Sequence, residues 1–342
     1  MNRSSLLRLL VGVAISVVFL AVTLSQVDLP VVGEAMARAA PAGLLVALVI
    51  VIVDLGLRAL RWQLLLHGVH GAGSRPVYRL AVGYLMIGFT ANAVLPARLG
   101  DVARAILAGS AFRTPRLAIF GTIMIERLGD GLTMLVLALA SSVLVAGIAE
   151  LRDLAVFAVA AGLAGVVALG IGWLVVSRSA VAATRVGERL AGIGRRLAAG
   201  AGTMTSVRGA VAVVGLTLTV AGTAMLVAWT VSSAVGVDLA PAQVVLFTSG
   251  IALSLAIPAA PGALGTYEFV GVAIVTSLGF TPEQGLATIL LMRILSTFPP
   301  ALAGLVSLWL LHVRPSAIVE AAEEGAEGGP STDDLVAAEP AG

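Results

Sequence analysis

The chain has 342 residues, of which 59% are hydrophobic and only 12% are charged, and its mean hydropathy is +1.04. This composition excludes a soluble globular domain, which needs many more charged residues to cover its surface. The sequence contains neither cysteine nor lysine, which also excludes disulfides, cysteine-ligated metals, a Walker A phosphate loop and a Schiff-base mechanism.

The apolar residues lie in continuous runs, which predict membrane-spanning α-helices because about 20 apolar residues cross about 30 Å of hydrocarbon. A membrane β-barrel would alternate apolar and polar residues and is not expected. The first run follows Arg3 and Arg8 without an A-x-A cleavage site, so we interpret it as an uncleaved helix. In chain order, the predicted apolar helices are 6–24, 42–60, 78–95, 117–148, 154–176, 211–235, 243–257, 267–278 and 286–311.

Three polar segments connect or follow these helices. A loop with Asp28, Glu34 and Arg38 is predicted after the first span. The linker 178–208 carries six arginines and one glutamate, which favours an amphipathic helix lying against anionic lipid headgroups; the alternative is a plain solvated connector. The end of the chain is acidic, so we predict a transmembrane domain over 1–312 and a disordered cytoplasmic tail over 313–342.

The placement of arginine orients the predicted helices. Basic segments at the N-terminus, 58–79, 98–116 and 178–208 are assigned to the cytoplasm by the positive-inside rule, which also puts both termini there. The number of membrane crossings agrees with these assignments only if segments 80–110 and 242–279 each enter and leave the membrane on the same side. We therefore predict an all-α polytopic membrane protein with about six full spans and two re-entrant broken-helix hairpins.

The two broken segments resemble each other. Leu-Pro-Ala at 95–97 parallels Ile-Pro-Ala at 257–259, a glycine follows each proline after four residues, and the next helix carries Arg127 or Arg293. Because the segments are predicted to enter from opposite sides, they form an inverted repeat, which in transporters marks a binding site near the membrane midplane. The alternative is a pair of proline kinks in ordinary spans.

Ionisable side chains inside the predicted spans are the candidates for function. Each costs at least about 2.5–3.5 kcal/mol at the bilayer centre, so each needs a partner or a polar cavity. Three pairs of these residues are spaced so that both members share a helix face: Asp54 and Arg58, Asp101 and Arg104, and Arg127 and Asp130. Structural ion pairs between helices are the alternative role. The candidate substrate-binding residues are Arg98, Asp101, Arg104, Glu126, Arg127, Asp130, Pro258, Gly262, Gly265, Glu268 and Arg293.

Other polar residues are given simpler roles. Arg58, Arg61 and Trp62 lie near the predicted cytoplasmic end of a span, and we predict that they are membrane-edge anchors. His67 and His70 could touch one metal ion, but no third ligand is evident, so neither a metal site nor a cofactor is predicted.

These motifs resemble the transmembrane region of bacterial lysylphosphatidylglycerol synthases and its stand-alone relatives, the flippase-like integral membrane proteins. The resemblance covers about residues 5–312. It is carried by Arg-Ala-Leu-Arg-Trp at 58–62, Leu-Pro-Ala-Arg-Leu-Gly-Asp at 95–101 with Arg104, Glu-Arg-Leu-Gly-Asp at 126–130, Pro-Ala-Ala-Pro-Gly-Ala-Leu-Gly-Thr-Tyr-Glu at 258–268, and Arg293.

The resemblance implies a lipid flippase or scramblase that moves an anionic or aminoacylated phospholipid, or a polyprenyl-phosphate lipid, between leaflets. Arginine grips phosphate with its planar fork, so Arg98, Arg127 and Arg293 are expected to hold the headgroup. A membrane enzyme or enzyme subunit in polyprenyl-phosphate sugar metabolism, with Asp101 or Glu268 as base, remains an alternative, as does a non-transporting membrane scaffold.

The expected setting follows from this interpretation. We expect no enzyme activity of its own, and in particular no aminoacyltransferase activity, which belongs to a separate soluble domain of the full synthases. The expected partners are membrane lipids, with anionic headgroups at 178–208; nucleic acid is not expected, and a homo-oligomer is left open. The expected location is the cytoplasmic membrane.

Overall fold

The structure is a computed structural model that describes residues 3–70, 78–95, 99–145, 192, 194–255 and 263–326. The described elements are α-helices and one short 3-10 turn, Gly202–Thr205. The α-helices are α1 (Arg3–Leu24), α2 (Leu29–Arg38), α3 (Pro41–His70), α4 (Tyr78–Val94), α5 (Leu99–Phe112), α6 (Arg116–Leu144), α7 (Val207–Val235), α8 (Pro241–Ser254), α9 (Thr266–Ser277), α10 (Pro282–Leu310) and α11 (Pro315–Ala326).

Helix boundaries follow local chemistry. Four helices begin at a proline, where the missing N–H group costs nothing because the first turn has no intrahelical acceptor for it. These prolines are Pro41, Pro241, Pro282 and Pro315. The predicted span 154–176 and most of the basic linker lie outside the described residues.

Three helices in the described part of the chain are long and apolar enough to cross a membrane: Pro41–Val69, Val207–Val235 and Pro282–Leu310. Helices α1 and α2 become a fourth if they count as one span that bends by 81°. Helix α6 is also 29 residues long and carries Glu126, Arg127 and Asp130 within it. The all-helical membrane class is therefore confirmed, while the detailed count of spans stays a prediction.

Two predicted segments differ from the structure. The residues expected to form a polar loop after the first span form helix α2 instead, because its apolar side buries Val32 against Val272 and Leu286. Helix α3 continues to His70, ten residues beyond the predicted end, and its extra turns bury Leu65 and Leu66. In both cases tertiary burial extends helix into polar sequence, which hydropathy alone does not predict.

Both predicted breaks interrupt helices. Helix α4 ends at Val94 and α5 begins at Leu99, while α8 ends at Ser254 and α9 begins at Thr266. Helices α4 and α5 pack against each other, and so do α8 and α9. The residues inside the breaks, which include Pro96, Arg98, Pro258 and Gly262, lie outside the described residues.

The chain divides into two compact units. Unit 1 comprises the described residues within Met1–Gly56, Asp130–Gly162 and Leu218–Pro300. Its core is formed by apolar side chains of α3, α7, α8, α9 and α10, with Phe247 and Ile289 fully buried. Helix α1 joins α9 through the rings of Phe19 and Phe269, whose centroids lie 4.7 Å apart.

Unit 2 comprises the described residues within Leu57–Gly129, Leu163–Thr217 and Ala301–Gly342. Unit 2 contains an aromatic cluster: the Phe112 ring is 6.4 Å from the Trp62 ring and 5.6 Å from the Tyr84 ring, measured between centroids. Helix α5 packs against both α4 and α11. Unit 2 thus holds the first break and the short helix that follows it.

The acidic tail is not disordered at its start, which corrects the prediction for 313–342. Helix α11 covers Pro315–Ala326 and packs against α5. Ile318, Ala321 and Ala322, spaced as one face of a helix, are buried. Helix α11 therefore has one apolar face although the tail is acidic overall. The net charge of the tail does not indicate this face. Residues 327–342 lie outside the described part.

We expect Ile318→Asp to release α11 from α5, because a charge would be buried on the packed face. Cleavage by endoproteinase Glu-C in this helix, which contains Glu320 and Glu323, should become about tenfold faster or more. The matched control is Val319→Asp, because Val319 is 47% exposed. Equal cleavage rates in the two variants would contradict the packing of this helix.

Candidate functional site

The first ion pair of the site joins α5 to α6 in unit 2. Asp101 lies in the first turn of α5, directly after the break, where the positive end of the helix dipole favours a carboxylate. Arg127 donates from Nε to Asp101 Oδ2 at 2.9 Å and from Nη2 to Oδ1 at 2.7 Å. Asn92 Nδ2 on α4 donates to Asp101 Oδ1 at 3.0 Å. Three helix segments therefore meet at one buried carboxylate.

A second, deeper network lies beside this pair. Glu126 is buried and pairs with Arg104, whose Nη2 lies 3.1 Å from Glu126 Oε2, and with Arg61, whose Nε lies 3.4 Å from Oε1. Arg61 also donates from Nη1 to Thr217 Oγ1 at 3.2 Å. The Arg104 guanidinium stacks 3.6 Å from the centroid of the Trp62 ring. Glu126 therefore bridges two arginines from different helices.

Helix geometry explains how these pairs arise. Asp101 and Arg104 lie three residues apart and share a face of α5, as predicted, but each pairs with a residue of α6. Glu126 and Arg127 are neighbours on α6, so their side chains point about 100° apart and reach different partners. Gly100 permits the approach, because a β-carbon there would collide with backbone atoms of α4.

Unit 1 contains a corresponding pair after the second break. Glu268 lies in the first turn of α9 and Arg293 lies on α10, with Glu268 Oε1 2.5 Å from Arg293 Nε. Glu268 Oε2 accepts a bond of 2.7 Å from the Gly265 N–H, which caps the start of α9. Gly265 has φ +85°, a conformation that favours glycine. The Arg293 guanidinium lies 4.5 Å from the centroid of the Tyr267 ring.

The two pairs share one pattern of exposure. The Arg127 side chain is 29% exposed and its partner Asp101 is 7% exposed; the Arg293 side chain is 20% exposed and its partner Glu268 is 4% exposed. In each unit, a buried carboxylate thus orients an arginine that reaches the surface of its unit. Such an arginine suits an anionic group, because its planar fork binds phosphate or carboxylate oxygens in pairs.

The structure places the remaining predicted residues as follows. Asp130 and Arg58 are partly buried, and Asp54 accepts a bond of 2.6 Å from Thr223 Oγ1 in unit 1. Arg61 and Trp62 are 2% and 0% exposed, which differs from the surface position expected of membrane-edge anchors. They are buried because α3 continues past the predicted end of the span and packs within unit 2.

Sequence reasoning missed several supporting residues. Asn92 holds Asp101, Thr217 holds Arg61, and Tyr267 lies under Arg293. Asn92 could have been noticed as an amide inside an apolar run just before the break. The role of Thr217 depends on a long-range contact, which has no local signal in the sequence.

Comparison with known proteins gives two matches. Residues 9–304 match the family model described as Lysylphosphatidylglycerol synthase TM region. The chain is also 27% identical over 354 residues to a protein of Haloferax volcanii named Glycosyltransferase AglD, an alignment that covers 92% of this chain. The chain spans 56% of the length of that relative.

Proposed function

The chain belongs to the family of the lysylphosphatidylglycerol synthase TM region and is a multi-pass membrane protein, and from this premise we propose that it translocates a phosphate-bearing lipid between membrane leaflets. In this proposal the protein moves the lipid without making or breaking a covalent bond. The lipid is an anionic or aminoacylated phospholipid, or a polyprenyl-phosphate lipid.

The observation that carries the proposal is the repeated ion pair. Both units place an acid in the first turn after a helix break and pair it with a partly exposed arginine of the next long helix. A single buried ion pair is common in folded proteins and often only structural. The same arrangement at both breaks of a predicted inverted repeat favours a transport role, because broken helices in corresponding positions mark binding sites in transporters.

The lengths of the helices beside the breaks support a re-entrant topology. At 1.5 Å per residue, α4 is about 26 Å long, α5 and α8 are about 21 Å, and α9 is about 18 Å. Each is shorter than the hydrocarbon thickness of about 30 Å. We therefore propose that α4–α5 and α8–α9 form hairpins that enter and leave on one side, beside about six full spans in an inverted repeat.

The chemistry of the pairs suits a headgroup that must bind and leave. A lone arginine inside a membrane would bind phosphate very strongly or carry an uncompensated charge. A carboxylate beside it compensates the charge when no lipid is bound and fixes the orientation of the guanidinium. Arg127 in unit 2 and Arg293 in unit 1 each then bind a phosphate, and Asp101 and Glu268 position these arginines within their own units.

One observation favours a second candidate function. The relative in Haloferax volcanii bears the name glycosyltransferase, and the alignment covers most of this chain. The alternative proposal is therefore that the chain acts on, or serves an enzyme that acts on, a lipid-linked sugar. In that case a carboxylate at a break, Asp101 or Glu268, is the candidate base.

Leaflet exchange of a headgroup-labelled phospholipid in liposomes tests the proposal. We expect the wild-type chain to accelerate exchange. The double variant Arg127→Gln/Arg293→Gln should reduce the exchange rate at least about tenfold, because each replaced arginine loses a charge-assisted bond to phosphate. The double variant Arg127→Lys/Arg293→Lys should retain part of the exchange rate, because lysine keeps the positive charge but lacks the planar guanidinium that binds two oxygens at once.

The control for this experiment is Arg38→Gln. Arg38 pairs with Glu34 at 2.8 Å, but both side chains are largely exposed, so exchange should be unchanged. Monodisperse elution of every variant checks that folding is intact. Wild-type exchange in the Gln double variant would contradict the proposal. Turnover of a lipid-linked sugar without exchange would support the alternative, and neither activity would indicate a scaffold.

A further inference from the structure

A cavity of about 360 Å³ that is largely open to the surface lies in unit 2. It is formed where the end of α3, the 3-10 turn and the start of α7 meet. Its lining is Leu64, His67, Gly68, Thr203, Ser206, Arg208, Gly209 and Ala212.

The cavity lies beside the ends of two candidate spans. One candidate span ends at Val69 and the other begins at Val207. Each has 29 residues, a length of about 43 Å, which matches the 40–45 Å of a bilayer with its headgroup regions rather than the hydrocarbon core alone. This length would place the last turn of α3 and the first turn of α7 at headgroup depth.

The polar groups around the cavity suit an anion. Arg208 and His67 line it together with the hydroxyl-bearing residues Thr203 and Ser206. Ser206 Oγ accepts a bond of 3.1 Å from the Gly209 N–H, so the positive end of the α7 dipole adjoins the same space. The lining includes no acidic residue that would repel an anion.

Close backbone contacts hold this corner in place. A β-carbon on Gly68 would collide with the backbone of Thr203, and one on Gly202 would collide with Gly68. Thr203 Oγ1 also donates to the Leu64 carbonyl at 2.8 Å. The end of the basic linker is thus fixed on α3, and the floor of the open cavity is formed by these packed backbone segments.

We propose that this cavity binds a phosphate group at the membrane surface, supplied by an anionic lipid headgroup or by free phosphate. Arg208 provides the charge-assisted bonds, and the hydroxyls and the start of α7 complete the shell. Under this proposal, anionic lipid binds the end of the basic linker at one defined site rather than along the whole linker. It stands independently of lipid translocation, because none of the ion-paired residues at the breaks lines the cavity.

Isothermal titration calorimetry of the full chain in detergent tests the site with two ligands: inorganic phosphate and dihexanoyl-phosphatidylglycerol. Arg208→Gln should weaken binding about tenfold or more, because a charge-assisted bond is lost. Ala212→Trp should weaken it similarly by filling the cavity without changing charge; Ala212 is exposed. The control Arg195→Gln removes an exposed arginine of the same linker that does not line the cavity, and should bind as the wild type does.

The outcomes separate the sources and the alternatives. Binding of the lipid with weaker competition by inorganic phosphate identifies the headgroup as the ligand, whereas binding of inorganic phosphate alone identifies free phosphate. Equal losses in Arg208→Gln and Arg195→Gln, or an unchanged affinity in Ala212→Trp, would show delocalised attraction by the linker and overturn the site. Failure of both ligands to bind the wild type would overturn it as well.

Discussion

Glu126→Ala should destabilise the folded protein by about 3–5 kcal/mol, the usual cost of removing one partner from a buried charge pair. Glu126 bridges Arg61 and Arg104, whose side chains are only 2% exposed. Without the carboxylate, two guanidinium groups remain buried side by side. The Trp62 ring also covers one face of the Arg104 guanidinium, which keeps this charge from water.

The measurement is a denaturant titration of the purified protein in detergent, followed by helical circular dichroism. The control is Glu34→Ala, which breaks the exposed pair with Arg38 and should change stability by less than about 0.5 kcal/mol. Equal stabilities of the two variants would refute the buried network.

A compensated variant separates the charge effect from packing. Replacing Arg61, Arg104 and Glu126 together by Leu, Leu and Met removes every charge of the network, so it should recover part of the stability lost in Glu126→Ala. If the triple variant is as unstable as Glu126→Ala, the loss comes from packing rather than from uncompensated charge.

Gly100→Ala should destabilise the protein by about 1–3 kcal/mol and slow lipid exchange, although alanine is the better helix former. The added β-carbon would collide with backbone atoms of Gly88 and Asn92 on α4. Backbone cannot rotate away as a side chain can, so α4 and α5 must separate. Asp101 is the next residue and would move away from Asn92 and Arg127.

The matched control is Gly131→Ala on α6. A β-carbon at Gly131 has nothing within 4 Å, so this variant should gain about 0.5–1 kcal/mol from helix propensity. The same chemical change is therefore expected to have opposite signs at two helical positions. Stability and exchange are measured in parallel, and a stabilising effect at both positions would contradict the close contact of α4 and α5.

Local sequence determined the class of the protein and most of its helices. The apolar runs at 211–235 and 267–278 appear as α7 and α9 within a few residues, because hydropathy and helix propensity act along the chain. The interruptions near Pro96 and Pro258 were predictable because proline and glycine limit helices locally. The family followed from the order of the motifs.

The tertiary structure decided which side chains form ion pairs and hydrogen bonds with each other. The shared face of Asp101 and Arg104 was predictable, yet the side chains bond to α6 rather than to each other. Arg61 looked like an anchor because it ends an apolar run, and its burial depends on residues as distant as Thr217. Hydropathy is a property of single positions, whereas an ion pair is a property of two helices.

The sequence by itself thus determined the membrane class, the helical segments and the positions of the breaks, because these depend on solvation and backbone conformation within one stretch of chain. Only the tertiary structure decided that α2 and α11 are helices with buried faces, and which carboxylate each arginine meets. Burial and ion pairing depend on segments distant in sequence, whose approach is set by close backbone packing at glycines such as Gly100.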